Sequence, residues 1–198
     1  MNKLLAVFLL TVSTSGAFSS AVAAEKINVL LPQRNANEAI APFIAAKYLG
    51  YLEKEGLEVD YILAAGSNEV AIQVATGNAP IGWASPAQAV IAMQEGAAAP
   101  LDLRYFSSVE YRNIWSLSVP ADSAIQSVAE LRGKRIGVTA LGSAGMNYGK
   151  AYLRAAGLNP DRDVTFIPIG AGGQAIAAMK QKVVDAIVFW ETANVTFD

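Results

Sequence analysis

Four short turns carry most of the polar chemistry that this sequence offers: Pro32-Gln33-Arg34-Asn35-Ala36-Asn37-Glu38, Gly66-Ser67-Asn68-Glu69, Ser85-Pro86, and Thr139-Ala140-Leu141-Gly142-Ser143-Ala144-Gly145. Each follows a β-branched run and precedes an Ala-rich stretch. In an open α/β sheet such turns lie at the carboxyl ends of strands, where the next helix presents unpaired N–H groups. Those amides, with Ser and Thr hydroxyls, suit a sulfonate, carboxylate or other oxyanion without a buried Lys or Arg. A single Ser in such a place is an ordinary helix cap. Four such turns can converge on one cleft, and Arg34 can add a bidentate contact. Tyr111 and Trp190, the latter beside Glu191, can stack on a planar ligand. Trp190 divides evenly between that role and the core, whereas Trp83, inside a strand candidate, reads as core.

The residues that are missing exclude more. With no Cys and no His there is no disulfide framework, no thiolate or imidazole metal site and no His-dependent triad. No pair of carboxylates is spaced for acid/base work; Glu53, Glu55, Glu58 and Asp60 read as a solvated face, as do Asp122, Glu130, Asp161 and Asp163. No catalytic residue, cofactor or metal is therefore expected. A net charge of -2 from 15 basic and 17 acidic residues gives no footprint for nucleic acid. Gly145 to Ala151 fails as a phosphate loop, being one residue short and ending in Ala where magnesium needs a hydroxyl. Gly170-Ala171-Gly172-Gly173-Gln174-Ala175 does fit G-x-G-x-x-A between a strand and a helix, which leaves a dinucleotide-binding protein, or an enzyme on a related fold, as the alternative reading.

The elements that must position these turns are legible from period and punctuation. Strands are predicted at Ile27–Leu31, Val59–Leu63, Ile81–Ala84, Leu103–Val109, Ile114–Val119, Arg135–Val138, Val164–Ile169 and Ala186–Phe189. Helices are predicted at Pro42–Leu49, Ser67–Thr76, Pro86–Gln94, Ser143–Ala156 and Gly172–Lys180, with Ser67, Ser85 and Ser143 as caps and Gly157 followed by Asn159-Pro160 as a stop. Alternation of the two types makes this an α/β protein with mainly parallel sheets. The composition changes at Arg104 to Asn113, where a crossover between two lobes fits.

The first segment has a Lys near its start, an apolar run from Leu4 to Val12 and a small-residue end at Ala21-Val22-Ala23-Ala24. It reads as a cleavable signal peptide, too short to cross a bilayer core that needs ~20 apolar residues. Without a Cys after it there is no lipid anchor, so the chain is expected in the periplasm with no stable membrane anchor.

The order of motifs resembles the solute-binding proteins of ABC importers of the nitrate, taurine and alkanesulfonate type, which have the type II periplasmic binding fold. The resemblance rests on Ala41-Pro42-Phe43-Ile44-Ala45-Ala46-Lys47-Tyr48-Leu49-Gly50-Tyr51-Leu52-Glu53-Lys54-Glu55-Gly56-Leu57-Glu58-Val59, Gly66-Ser67-Asn68-Glu69, Ala84-Ser85-Pro86-Ala87, Leu131-Arg132-Gly133-Lys134-Arg135-Ile136-Gly137-Val138 and Val184-Asp185-Ala186-Ile187-Val188-Phe189-Trp190-Glu191. It implies two α/β lobes closing on a small solute, and a permease in the inner membrane as partner. The layout it implies is a signal peptide at 1–24, a first lobe at 25–110, a second at 111–190 and a hinge return at 191–198. Asn35, Asn37, Ser67, Asn68 and Ser85 would then line the first wall, Ser143, Ala144 and Gly145 the second, with Trp190 and Glu191 at the hinge. Members of that family continue well beyond this point, so the first lobe is expected to be incomplete. On this reading Ser67→Ala or Ser143→Ala weakens a tight ligand by ~1 kcal/mol, the scale of one hydrogen bond, as calorimetric titration would show.

Overall fold

The computed structural model describes residues 24–92 and 102–194; residues 1–23 of the expected signal peptide at 1–24, and the end of the predicted Pro86–Gln94 helix, lie outside the described residues. Two sheets are present among those residues. In the first, β1 (Glu25–Leu31) runs parallel to β2 (Leu57–Leu63) on one side and to β3 (Ile81–Gly82) on the other, giving the order β2-β1-β3. The connecting helices are α1 (Ala41–Tyr48), α2 (Tyr51–Lys54) and α3 (Ser67–Ala75), and α4 (Ala87–Ala92) follows β3. Leu30, Ala64, Val70 and Ala79 pack beneath α3 as a small core.

In the second sheet, β4 (Trp115–Ser118), β5 (Arg135–Val138), β6 (Thr165–Pro168) and β7 (Ala186–Trp190) take the order β4-β7-β5-β6. β4 alone is antiparallel, pairing Trp115 with Trp190 and Ser118 with Ile187. α5 (Ala144–Ala155), α6 (Gly173–Lys180) and α7 (Glu191–Asn194) complete this half. Every residue of β7 is buried, which explains its unbroken run of apolar side chains: a strand covered on both faces cannot alternate. Val188 joins Leu131, Ile136, Val138 and Leu153 on one face, and Ile187 and Phe189 join Ile169, Ala175 and Val184 on the other.

The predicted elements match closely where apolar periodicity was strong, and Arg135–Val138 matches to the residue. Residues 103–109 form no strand, because 104–109 are exposed and no neighbouring strand takes up their backbone groups. Gly50 (φ 70°) ends α1, and a short extra turn, α2, follows it. Gly157 (φ 77°) closes α5 as a left-handed stop.

One polar cluster fixes the register beside β5. Asp185 accepts from the Arg135 backbone N–H at 2.8 Å, from its Nε at 3.1 Å and from its Nη2 at 2.9 Å, and the same Nη2 reaches the Lys182 carbonyl at 2.8 Å. The Arg135 hydrogen bonds hold the Asp185 carboxyl below the usual carboxylate range. A depressed carboxylate stabilises the fold above its unfolded pKa of about 3.9, and that contribution disappears as pH falls through its lower folded value. Asp185→Asn is therefore expected to cost about 1 kcal/mol at neutral pH, the pair being partly solvated, with the gap from wild type closing below about pH 3.9; urea denaturation across pH checks it.

Candidate functional site

Strand order decides where a ligand can sit. In the first sheet the chain passes from β1 to β2 on one side and returns to β3 on the other, so the reversal lies at the ends of β1 and β3. In the second it lies between β5 and β7. Ligands collect at such reversals. A cavity of about 650 Å³ opens there between the two sheets. Pro32, Gln33, Ser67, Trp83 and Ser85 line it from the first half, Trp115, Ala144, Tyr148, Trp190 and Glu191 from the second, and the segment 105, 107–114 crosses beside it.

Backbone closes the two halves at one edge. The Asn68 N–H donates to the Gly142 carbonyl at 3.2 Å. A Cβ at Gly66 (φ 138°) would lie 2.8 Å from that oxygen and 3.1 Å from the Ser143 Cα, so only glycine permits the approach. At another edge the Trp190 indole donates from Nε1 to Glu38 Oε1 at 3.1 Å. The side wall is aromatic. Trp115 stacks on Tyr148 with centroids 6.1 Å apart and an interplanar angle of 15°, and meets Trp190 edge-on at 5.9 Å. Tyr152 donates its hydroxyl to the Trp115 carbonyl at 2.6 Å, and Asn113 brackets the same residue by accepting from its N–H at 3.1 Å. Across the cavity Trp83 lies against Phe43 at 5.1 Å.

Of the residues singled out from sequence, Ser67, Ser85, Tyr111, Ala144, Trp190 and Glu191 line this cavity. Ser67, almost fully buried, accepts from the Ser85 N–H at 3.2 Å, so it ties the two turns together and does not cap its own helix. Ser143 accepts from the Met146 N–H at 3.4 Å and caps α5. Asn37 caps the turn at Glu38–Ile40 and donates to Gln33 Oε1 at 3.2 Å, steadying a lining residue. Asn35 and Asn68 are exposed, and neither they nor Ser143 and Gly145 are among the lining residues. Tyr111 stands 98% exposed at the rim, and Trp190 is only 3% exposed.

Trp83 belongs to the cavity wall, not to the interior of a strand, because β3 stops at Gly82. Tyr105, Glu110, Trp115 and Tyr148 also line the cavity and carry no sequence expectation at the site, and Glu38 stood in the first turn with no role of its own. Tyr148 had a signal, since it stands one helical turn after Ala144 on the same face of α5. Burial pushes the Glu110 carboxyl and the Tyr105 hydroxyl above their ordinary pKa values. Tyr105 donates to the Ser85 carbonyl at 3.0 Å, which anchors the crossing segment.

The glycine turn at Gly170–Ala175 follows β6, the edge strand, away from the reversal, and contributes nothing to the cavity lining. Gly170 (φ 71°) is packed under the Gln174 side chain, so a tight turn accounts for it. A second hollow of about 450 Å³ at the end of α5 is lined by Arg132, Arg154, Asp161, Arg162 and Asp163, which pair among themselves.

A family model described as NMT1/THI5 like matches residues 37–197. The chain belongs to the NMT1/THI5-like family. None of the curated proteins matches the sequence of this NMT1/THI5-like protein. Solved structures show its fold. A Bordetella bronchiseptica RB50 protein is 22% identical, with a TM-score of 0.61 over 82% of this chain and 50% of its own. The alkanesulfonate-binding protein SsuA of Xanthomonas axonopodis pv. citri, bound to MOPS, is 24% identical, with a TM-score of 0.59 over 84% and 54%. The periplasmic aliphatic sulphonate binding protein SsuA of Escherichia coli is 22% identical, with a TM-score of 0.54 over 86% and 52%. The fold is thus that of type II periplasmic binding proteins, and the chain spans about half the length of these structures.

Gly145 holds the wall in place without lining it. A Cβ there would lie 2.6 Å from the Trp115 ring and 3.1 Å from the Val188 carbonyl. Gly145→Ala is expected to cost 1–3 kcal/mol despite the better helix propensity of Ala, roughly the range for overpacking, and to shift the Trp emission; denaturation followed by fluorescence checks both.

Proposed function

We propose that this chain is the solute-capturing component of an ABC importer, in which a small organic or oxyanionic solute of the nitrate, sulfonate or taurine-like class is held between two lobes and handed to a permease in the inner membrane. The observation that carries the reading is the cavity of about 650 Å³ at the strand-order reversals, walled by both sheets. Residues 25–110 act as the first lobe, 111–190 as the second and 191–198 as the hinge return. The leader at 1–24 directs export to the periplasm and is then removed; among the described residues no helix is long and apolar enough to cross a membrane.

No bond chemistry is required of any residue. Ser67, Ser85, Tyr111, Ala144, Trp190 and Glu191 contact the solute. Asn35, Asn37, Asn68, Ser143 and Gly145 belong to the turns that shape its surroundings. Closure is the mechanism, since a solute that contacts both halves binds the closed arrangement better and shifts the population toward it.

A solute at 100 times its Kd is expected to add ~2.7 kcal/mol of stability. Thermal unfolding of the protein against sulfonates, carboxylates, nitrate, amines and heteroaromatics reads this directly. A rise in Tm with one class supports capture, and a cooperative transition that no class moves rejects it.

A further inference from the structure

One turn of the first half is packed as though it belonged to the second. It spans Glu38–Ile40 as a single tight helical turn after β1, and Asn37 fixes its shape by accepting from the Ala39 N–H at 3.0 Å. Ala39 packs against the apolar layer that holds Ile187, Phe189, Trp190 and Ala193. Its neighbour Glu38, itself exposed, accepts from the Trp190 indole N–H at 3.1 Å. An indole donor closed off from water requires an acceptor, and a carboxylate is a stronger one than a neutral oxygen. Two adjacent residues of the turn, one apolar and one charged, thus act on the end of β7.

The other polar turns contribute little to holding the halves together. The Ser67 hydroxyl is taken by the Ser85 N–H, within the first half, and the Ser143 hydroxyl by the Met146 N–H, within the second. Asn68 does cross, through one N–H to the Gly142 carbonyl at 3.2 Å, but it is an exposed residue and the bond is between neutral groups. Water competes with such a bond at small cost.

We propose that the turn at Glu38–Ile40 is a clasp that holds the two halves closed, with Glu38 as a positioning residue acting through Trp190. This rests on the solute-capture reading above and names what regulates closure of the same cleft. The clasp is made by the chain alone, so the closed arrangement is populated before a solute arrives. Affinity is then set by the clasp as well as by the contacts the solute makes.

A chain without Cys allows closure to be measured with an introduced pair. A Cβ at Gly142 would stand 3.6 Å from the Asn68 Cβ, inside the ~3.5–4.5 Å that a disulfide spans, and Gly142 is not among the glycines of positive φ. The full chain carrying Asn68→Cys and Gly142→Cys is equilibrated in a glutathione redox buffer with no solute added, and the disulfide fraction gives the effective concentration of one thiol at the other. Glu38→Ala or Trp190→Phe in this background is expected to lower that concentration about fivefold, and the two together no further than either alone. Glu38→Gln, which keeps an acceptor without the charge, falls between. Ala39→Asp, which sets a charge against the same apolar layer, lowers it independently. A pair that stays reduced in the otherwise wild-type chain, or an effective concentration unchanged by Glu38→Ala, overturns the clasp. Additive losses in the double variant overturn its action through Trp190. Either failure leaves solute capture standing, since no solute enters the measurement.

Discussion

The burial of β7 on both faces is the constraint from which the rest of the structure follows. Its five residues bridge β4 and β5, and both apolar layers of the second half meet on it. Because the strand cannot shift without exposing one layer or the other, its last residue, Trp190, is delivered to a fixed point. There the indole is edge-on to Trp115 and reaches Glu38 in the other half of the molecule. The cavity wall is thus an extension of the core, set by packing and not by loop conformation.

That dependence explains what could be read from the sequence. Ala186–Phe189 and Arg135–Val138 were legible because an apolar run bounded by turn residues has few other ways to satisfy itself. The same holds for Gly157 and the helix it ends. Residues 103–109 deceived the pattern: Tyr105, Phe106 and Val109 have strand-like types, but nothing in a local window shows that no strand lies beside them. β propensity describes a fit to neighbours, and here the neighbour is missing from the described sheet.

The site was half legible for a related reason. Turns at strand ends are visible in sequence, so Ser67, Ser85, Ala144, Trp190 and Glu191, which line the cavity, could be singled out there. Which way their donors point was not, because it is decided between turns far apart in the chain. The Ser67 hydroxyl reads as a helix cap until Ser85, eighteen residues on, is seen to donate to it. Trp115 and Tyr148 come together only when α5 packs across β4, and Gly145 makes that approach possible. Glycines inside helices at such crossings are the trace that a bulky partner leaves in the sequence.

The meeting of Gly66 and Gly142 sets a floor under the width of the cleft. Side chains yield, but here peptide group rests on peptide group, with a carbonyl oxygen 2.8 Å from where a Cβ would stand. The gap at this edge is therefore a property of the backbone and does not vary with whatever side chains line the chamber. Substitutions at the wall redraw the shape of the enclosed volume, while the narrowest approach of the two halves at this edge is set by backbone. A ligand can therefore be chosen by side chains alone, within a closest approach of the two halves that glycine at position 66 permits.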